Sequence, residues 1–404
     1  MGPIDEARNA TGVPEARARP CPHYPRCAGC ALIGGPYGEQ LRWKQQRIED
    51  LFAAEAPLLR PEILPIVGSP RAFGYRNQAK LVLRRASRGL LAGLYKVGTH
   101  QVVDVRCCPV HADGIRTVLA RGIPLLEESG IPTYDERKRE GTLRYLIVRW
   151  SSWQKAAQVI LVTATPLDPA LRALLRRASR LPRVKSVVHD YNPEPGNVLL
   201  AHRFSPIAGR GELIERVGPC KIRTQAGTFL QANVSVARRI YEYATEEAAP
   251  SREGVVVDLY CGAGAWSLYL ATRARLVIGV EAGRSAVVDA KANVRLNGFS
   301  NLRFVHGETQ EVLPSLVAEV PGIEVVTVNP PRKGLDAGTR HALAALAPSR
   351  VVYVSCSPVS LVRDLRWLAE HGYRVCRVRP FDLMPQTDHI ECVATLEKVG
   401  DAGA

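Results

Sequence analysis

Val255-Val-Val-Asp-Leu-Tyr-Cys-Gly-Ala-Gly264 is a short apolar run that breaks into a glycine turn, the pattern of a buried strand feeding a helix. Toward the carboxyl terminus the pattern repeats. Arg275 to Glu281 precedes a helix over Ser285 to Asn297, Leu302 to Gly307 a helix over Gln310 to Val320, Glu324 to Pro330 a helix from Gly338, and Arg350 to Cys356 a helix over Val359 to Glu370. Five apolar strands, each followed by a helix, predict an α/β fold with a mostly parallel, Rossmann-like sheet covered on both faces. Tyr373 to Asp382 and Asp388 to Lys398 are strands with no helix between them, so a terminal antiparallel hairpin closes the edge. In such a sheet a ligand sits over the carboxyl ends of the strands. Glu281, 23 residues after Asp258, ends the second strand, where an acid accepts hydrogen bonds from ribose hydroxyls.

Upstream the texture differs. Residues 1–20 are polar and aperiodic and read as a disordered tail, with no apolar segment of a signal peptide. Leu41, Ile48, Leu51 and Phe52 recur at helical spacing over Gln40 to Phe52. Beyond Pro70 come β-branched runs such as Leu81 to Arg84, Gln101 to Val105, Leu146 to Trp150 and Gln158 to Thr165, which predict an antiparallel sheet. A helix over Asp168 to Arg180 and a further apolar run from Val184 follow. The expected division is a tail over 1–20, a cysteine cluster and helix over 21–70, a β-rich basic unit over 71–215 and a catalytic unit over 216–400.

The 404 residues carry a net charge of +15, which favours a polyanionic partner, and no stretch reaches the roughly 18 apolar residues of a membrane span. Residues 71–106 hold Arg71, Arg76, Lys80, Arg84, Arg85, Arg88, Lys96 and Arg106 against the single acid Asp104. That concentration marks a nucleic-acid contact, with Arg76, Lys80, Arg84 and Arg85 as candidate phosphate ligands. A cytoplasmic location is expected, so the ten cysteines are not a disulfide framework. No obligate protein partner is called for.

Cys356 ends the fifth strand in Val354-Ser-Cys-Ser-Pro358, beside Asn329-Pro-Pro-Arg332 at the end of the fourth. A thiolate there is a strong nucleophile. Methylation at C5 of a pyrimidine needs one, because C5 becomes nucleophilic only after addition at C6. A base must then remove the C5 proton. His389 and Glu391 alternate onto one face of the last strand, and Glu391, shielded in a closed site, is a fitting proton acceptor.

The run from about Gly227 to Lys398 resembles the catalytic domain of the RNA uracil-C5 methyltransferases. Phe229-Leu-Gln-Ala-Asn233 resembles the family's F-x-Q-x-N element, Asp258 to Gly264 its glycine turn and Asn329 to Arg332 its Asp/Asn-Pro-Pro-Arg. Ser355 to Pro358 resembles its S-C-x-P, and His389 to Glu391 its H-x-E. The resemblance implies an S-adenosyl-L-methionine-dependent enzyme that makes 5-methyluridine in RNA. In it Cys356 is the nucleophile, Glu391 the proton acceptor, and Gln231, Tyr260, Glu281 and Asn329 contact the cofactor. Most of the family has Asp where this chain has Asn329, which rejects cytosine less firmly. Ala265 replaces a polar residue some members carry, and no contact is assigned there.

Cys21-x5-Cys27-x2-Cys30 supplies three thiolates of a four-ligand site, with the fourth in Cys107-Cys108-Pro109. Zinc and iron–sulfur clusters both take such a set. The rRNA-modifying branches of the same family show this spacing with a distant Cys-Pro and hold a 4Fe-4S cluster. The resemblance therefore implies Cys21, Cys27, Cys30 and Cys108 as cluster ligands in an amino-terminal, β-rich RNA-binding region, with zinc as the alternative. Members acting at one rRNA site carry an extra OB-type domain before the cysteines. With 20 residues before Cys21, the chain is similar to the short branch that acts on 23S rRNA. A tRNA uridine methyltransferase, a cytosine-C5 methyltransferase and a non-catalytic iron–sulfur RNA-binding protein are the alternatives. Cys220, Cys261, Cys376 and Cys392 read as packing residues.

Overall fold

The computed structural model describes residues 21–399 apart from 88, 97 and 197; the expected tail and Arg88 lie outside the described residues. After the cysteine loop come α1 (Tyr37–Ala53), β1 (Glu62–Ile63), β2 (Gln78–Ala86), β3 (Gly89–Tyr95), β4 (Val102–Asp104) and α2 (Asp113–Glu128). Then follow β5 (Leu143–Ser151), β6 (Ala156–Thr163), α3 (Pro169–Ala178), β7 (Val184–Tyr191), β8 (Phe204–Ala208), β9 (Glu212–Val217) and β10 (Cys220–Gln225). The carboxyl-terminal half runs α4 (Val234–Ala248), β11 (Val255–Leu259), α5 (Ala265–Leu270), β12 (Leu276–Glu281), α6 (Arg284–Asn297), β13 (Leu302–His306), α7 (Thr309–Glu319) and β14 (Ile323–Val328). It ends with α8 (Ala337–Leu346), β15 (Arg350–Ser355), α9 (Pro358–Glu370), β16 (Tyr373–Phe381) and β17 (Glu391–Lys398).

Eight strands form one sheet in the order β1-β16-β17-β15-β14-β11-β12-β13. The five expected parallel strands are present, and β11 and β14, side by side at its centre, are the switch point from which the order runs outward in both directions. The terminal hairpin is antiparallel, with β17 inserted between β15 and β16. It does not close the edge, because β1 pairs in parallel with β16 outside it. One face of the sheet packs on α7, α8 and α9, and the amino-terminal helix α1 joins that core through the buried Ile48 and Phe52. The other face packs on α4 and α5 through residues such as Val236, Ile240, Trp266 and Leu268.

A second sheet has the order β4-β3-β2-β5-β6-β7-β8. It is mixed, not wholly antiparallel as expected, because β6 and β7 run parallel with α3 crossing between them. Asp168 caps α3 by accepting the Leu171 N–H at 2.7 Å, and Leu171, Leu174, Leu175 and Ala178 form its buried stripe. The helix α2 is not announced by the sequence, because Gly122 and Pro124 read as breakers. It forms because Ile115, Val118, Leu119, Ile123, Leu125 and Leu126 are all buried on the sheet. At about 1.5–3 kcal/mol per buried side chain, they outweigh the roughly 3 kcal/mol that an internal proline costs.

Candidate active site

The register of the eight-stranded sheet assembles the site. Ser355 is the partner of Cys392 across the antiparallel β15–β17 pair, so the next position outward on each chain is Cys356 and Glu391. On the other side of β15 the parallel strands end in Asn329 after β14, Tyr260 after β11 and Glu281 at the close of β12. The Asn329 N–H bonds the Leu259 carbonyl at 3.3 Å, which keeps the two central strand ends level. Five residues distant in sequence thus share one sheet edge.

Around Cys356 the chain turns at once into α9, where Ser357 caps the helix through Ser360 N–H and Pro358 occupies the first turn. Cys356 is half-buried. Burial and the nearby Glu391 charge push its thiol up, while the Arg332 guanidinium pulls it down. Burial pushes the Glu391 carboxyl up to about 7 against the opposing effect of Arg332. Arg332 also lies 3.2 Å from His389 Nε2, so one exposed guanidinium addresses the thiol, the carboxyl and the imidazole. The loop carrying Arg332 is fixed from below: buried Asp364 accepts from Leu335 N–H at 2.8 Å and from the Tyr353 hydroxyl at 2.8 Å. Arg332 was legible as part of a motif, but its action on both Cys356 and Glu391 was not.

At the glycine turn, Gly264 has φ +79°, and a Cβ there would meet the Phe304 ring at 2.6 Å, so only glycine fits. A Cβ on Gly262 would meet nothing within 4 Å, which leaves open space above the turn. The Glu281 carboxylate accepts N–H bonds from Gly262 at 2.9 Å and Gly283 at 2.7 Å, which aim it across the same space. Tyr260, at φ +58°, sends its hydroxyl to Asp336 at 3.2 Å and Thr339 at 3.1 Å. Gln231 lies near the hydroxyl of buried Tyr241, holding it down against the rise from burial, and the same ring is within electrostatic reach of Glu391 and Asp258. The Gln231 backbone carbonyl accepts from Asn77 Nδ2 at 3.0 Å. Burial pushes Asp258 up to about 6, while hydrogen bonds from Ser267 and Thr327 oppose the rise. Tyr241 joins the site without having been singled out in the sequence, and Asp258, read there as the start of the glycine-turn motif, was given no role of its own.

Cys21, Cys27, Cys30 and Cys108 line a single cavity of about 140 Å³, whereas Cys107 is exposed and outside that lining. Burial, with Cys108 and Cys27 adding to it, pushes the Cys30 thiol up to about 12; Cys27 and Cys108 are raised chiefly by burial. The Gly29 N–H bonds the Cys27 sulfur at 3.4 Å. As they stand, no three His, Cys, Asp or Glu side chains among the described residues are placed to hold a metal ion. Arg76 and Lys80 line the same cavity. Arg84 donates to the Tyr134 carbonyl at 3.3 Å, and Arg85 is exposed, 3.9 Å from Glu127. Tyr75 is buried and donates to the Pro385 carbonyl at 2.9 Å, while Phe229 is 69% exposed. Among the described residues no helix is long and apolar enough to cross a membrane.

Residues 218–399 match the family described as tRNA (uracil-5-)-methyltransferase. The chain is 36% identical over 385 residues to an uncharacterized RNA methyltransferase of Halalkalibacterium halodurans, covering 95% of this chain and 84% of that one. It is 38% identical over 379 residues to one from Geobacter sulfurreducens, with 94% and 77% covered. Its structure is similar to the Pyrococcus abyssi tRNA (uracil-54, C5)-methyltransferase in complex with S-adenosyl-L-homocysteine, with a TM-score of 0.75 and 27% identity over 92% of this chain and 86% of that one. That degree of identity over most of each relative's length, with the family match running through the eight-stranded sheet, means that the chain belongs to the RNA methyltransferases of the uracil-5 family.

Proposed function

We propose that this enzyme transfers the methyl group of S-adenosyl-L-methionine to C5 of one uridine in 23S rRNA. The observation that carries the chemistry is the facing placement of Cys356 and Glu391 across the β15–β17 register with the Arg332 charge acting on both. The open space over Gly262, bordered by Glu281, Tyr260 and Asn329, suits the methyl donor, and its bound presence supplies an electrophilic sulfonium methyl. Glu281 receives the ribose hydroxyls, and Gln231 borders the site through Tyr241.

The target base is flipped out of its RNA context to admit attack at C6 and C5. Arg332 favours the Cys356 thiolate, which adds to C6 and drives the ring electrons onto the C4 oxygen as an enolate. C5 then takes the methyl group, and the sulfonium sulfur leaves as a thioether. Glu391 removes the C5 proton, the electrons re-form the C5–C6 double bond, and the C6–sulfur bond breaks to release Cys356. A carboxyl near 7 is well matched to accept that proton at neutral pH.

Four cysteines around one cavity, with an N–H on the Cys27 sulfur and the Arg76 charge beside them, fit a 4Fe-4S cluster held by Cys21, Cys27, Cys30 and Cys108. Bound there, it staples the 21–70 segment to the basic 71–215 unit, beside the catalytic unit over 216–400. Ten free cysteines accord with a reducing, cytoplasmic setting. Arg76, Lys80, Arg84 and Arg85 border the path of the RNA. The likeness to the Pyrococcus abyssi enzyme favours tRNA as the second reading. Mass-spectrometric mapping of 5-methyluridine in rRNA and tRNA from a strain lacking the gene tests both. Loss of one 23S site is expected, loss from tRNA alone overturns the rRNA target, and no loss in either overturns the activity.

A further inference from the structure

Glu391 opens β17, and the residues before it, 382–390, form the loop from β16. The loop's fixed points lie largely on the amino-terminal segment. Gln386, buried, is gripped from three directions. Its N–H donates to Gln40 Oε1 at 3.0 Å and its side-chain oxygen accepts from Gln40 Nε2 at 3.0 Å. Its carbonyl accepts the Leu32 N–H at 2.9 Å, and its Nε2 donates to the Ala72 carbonyl at 3.3 Å. Next to it the Pro385 carbonyl accepts from Tyr75, and Lys44 reaches the Met384 carbonyl at 3.3 Å.

Two further facts give this grip a purpose. Gln386 sits at φ +70°, a conformation that a side-chain-bearing residue holds only where its surroundings over-determine it. The gripping residues also adjoin the cysteine cavity: Leu32 lies between Cys30 and Ile33, and Tyr75 precedes Arg76, all three of those neighbours being part of its lining.

We propose that Gln386 is a positioning residue, a latch through which Gln40 and Leu32 set the place of the Glu391 carboxyl. The proposal rests on the reading of Glu391 as the proton acceptor. Of the steps above, only removal of the C5 proton needs that carboxyl. A slack latch therefore leaves thiolate addition and methyl transfer intact and stalls the enzyme on RNA that is methylated but still bonded to Cys356.

The test uses the full-length enzyme, total RNA from a strain lacking the gene, and S-adenosyl-L-methionine tritiated in its methyl group. Label that stays with the protein in SDS reports the stalled adduct. Gln40→Ala, which removes both bonds to Gln386, along with one to the Gly35 carbonyl, without altering the loop, is expected to lower kcat about 10- to 100-fold while the adduct accumulates and the KM for the methyl donor holds. Gln386→Ala keeps the backbone bonds and gives a smaller effect of the same kind, which carries the test if Gln40→Ala does not fold. Loss of turnover and adduct in parallel, or no change in either, overturns the latch. Glu391→Gln separates the two readings. If it traps adduct while the latch variants do not, only the latch falls; if it turns over normally, the assignment of the base falls.

Discussion

Replacing Glu391 by Gln should stabilise the protein in a pH-dependent way. The folded chain raises this carboxyl from 4.5 to about 7, chiefly by burial. The folded state therefore binds its proton more tightly than the unfolded state does, and the charged form is penalised. Below pH 4.5 the group is neutral in both states and the penalty vanishes. It grows as the pH rises through the interval and is complete above about 7, where it reaches on the order of 3 kcal/mol. Gln carries no charge at any pH, so the difference between variant and wild type reports this penalty, and the constant effects of the amide cancel. The neighbours leave the difference readable: Cys356, Cys392 and Tyr241 are all pushed up and stay protonated, and the shifts of Asp258 and His389 are common to both proteins and cancel. Thermal melting of both proteins from pH 4.5 to 8 is the assay. The gap in Tm should open steadily in favour of Glu391→Gln, by several degrees at the alkaline end, while activity is lost. A gap that does not change with pH, or one that favours the wild type as the pH rises, would refute the burial argument.

Arg332→Met removes a charge that holds both Cys356 and Glu391 down, so the acid limb of the kcat profile should move to higher pH. A unit charge in hydrogen-bond reach is worth about 4 kcal/mol at an effective dielectric of 20, and solvent around the exposed guanidinium reduces this to a shift of roughly 0.5–1 pH unit; an unmoved limb contradicts it. Cys108→Ser should abolish iron and acid-labile sulfide in the purified protein while Cys107→Ser retains both, as elemental analysis and visible absorption will show. Lys44 Nζ lies 2.6 Å from Asp382 with both side chains fully buried, so Lys44→Met, which strands the carboxylate, should cost about 3–5 kcal/mol in chemical denaturation. Adding Asp382→Leu should recover much of that loss, and a mild effect of the single change would disprove the pairing.

From β11 onward the carboxyl-terminal half was legible because its elements carry local signatures, whereas α4 before it was not read. The helices α6 and α9 fall within a residue of where the periodicity puts them, and the strand read as Glu324 to Pro330 runs from Ile323 to Val328. The cysteines were legible in spacing, and the cavity brings together the four that were named, leaving out Cys107. What escaped was what packing decides. The helix α2 overrides its own Gly and Pro, and the β9–β10 hairpin, without a strong local signal, is tied to β5 by Arg149 bonds to Thr224 and the Gln225 carbonyl. Arg332, Tyr241 and Gln386 matter through partners on other elements, and no local pattern brings residue 40 to residue 386.

The pairing of β1 with β16 has a consequence for biosynthesis. Glu62 faces Arg377, so the first strand among the described residues waits for about 315 more residues to be translated before it has a neighbour. At the ribosome's pace of about 5–20 residues per second, the apolar stripe of α1 and the edge that β1 will occupy stay unpaired for some tens of seconds. The seven-stranded sheet has all its strands long before then, so the nascent chain carries a finished module with an uncovered helix ahead of it. A fragment beginning at residue 218 would avoid the wait but expose the flank of β16 and strip Ile48, Phe52 and Leu59 from its core. The sheet that performs the chemistry is not a self-sufficient folding unit, and its completion depends on holding together two segments about 315 residues apart.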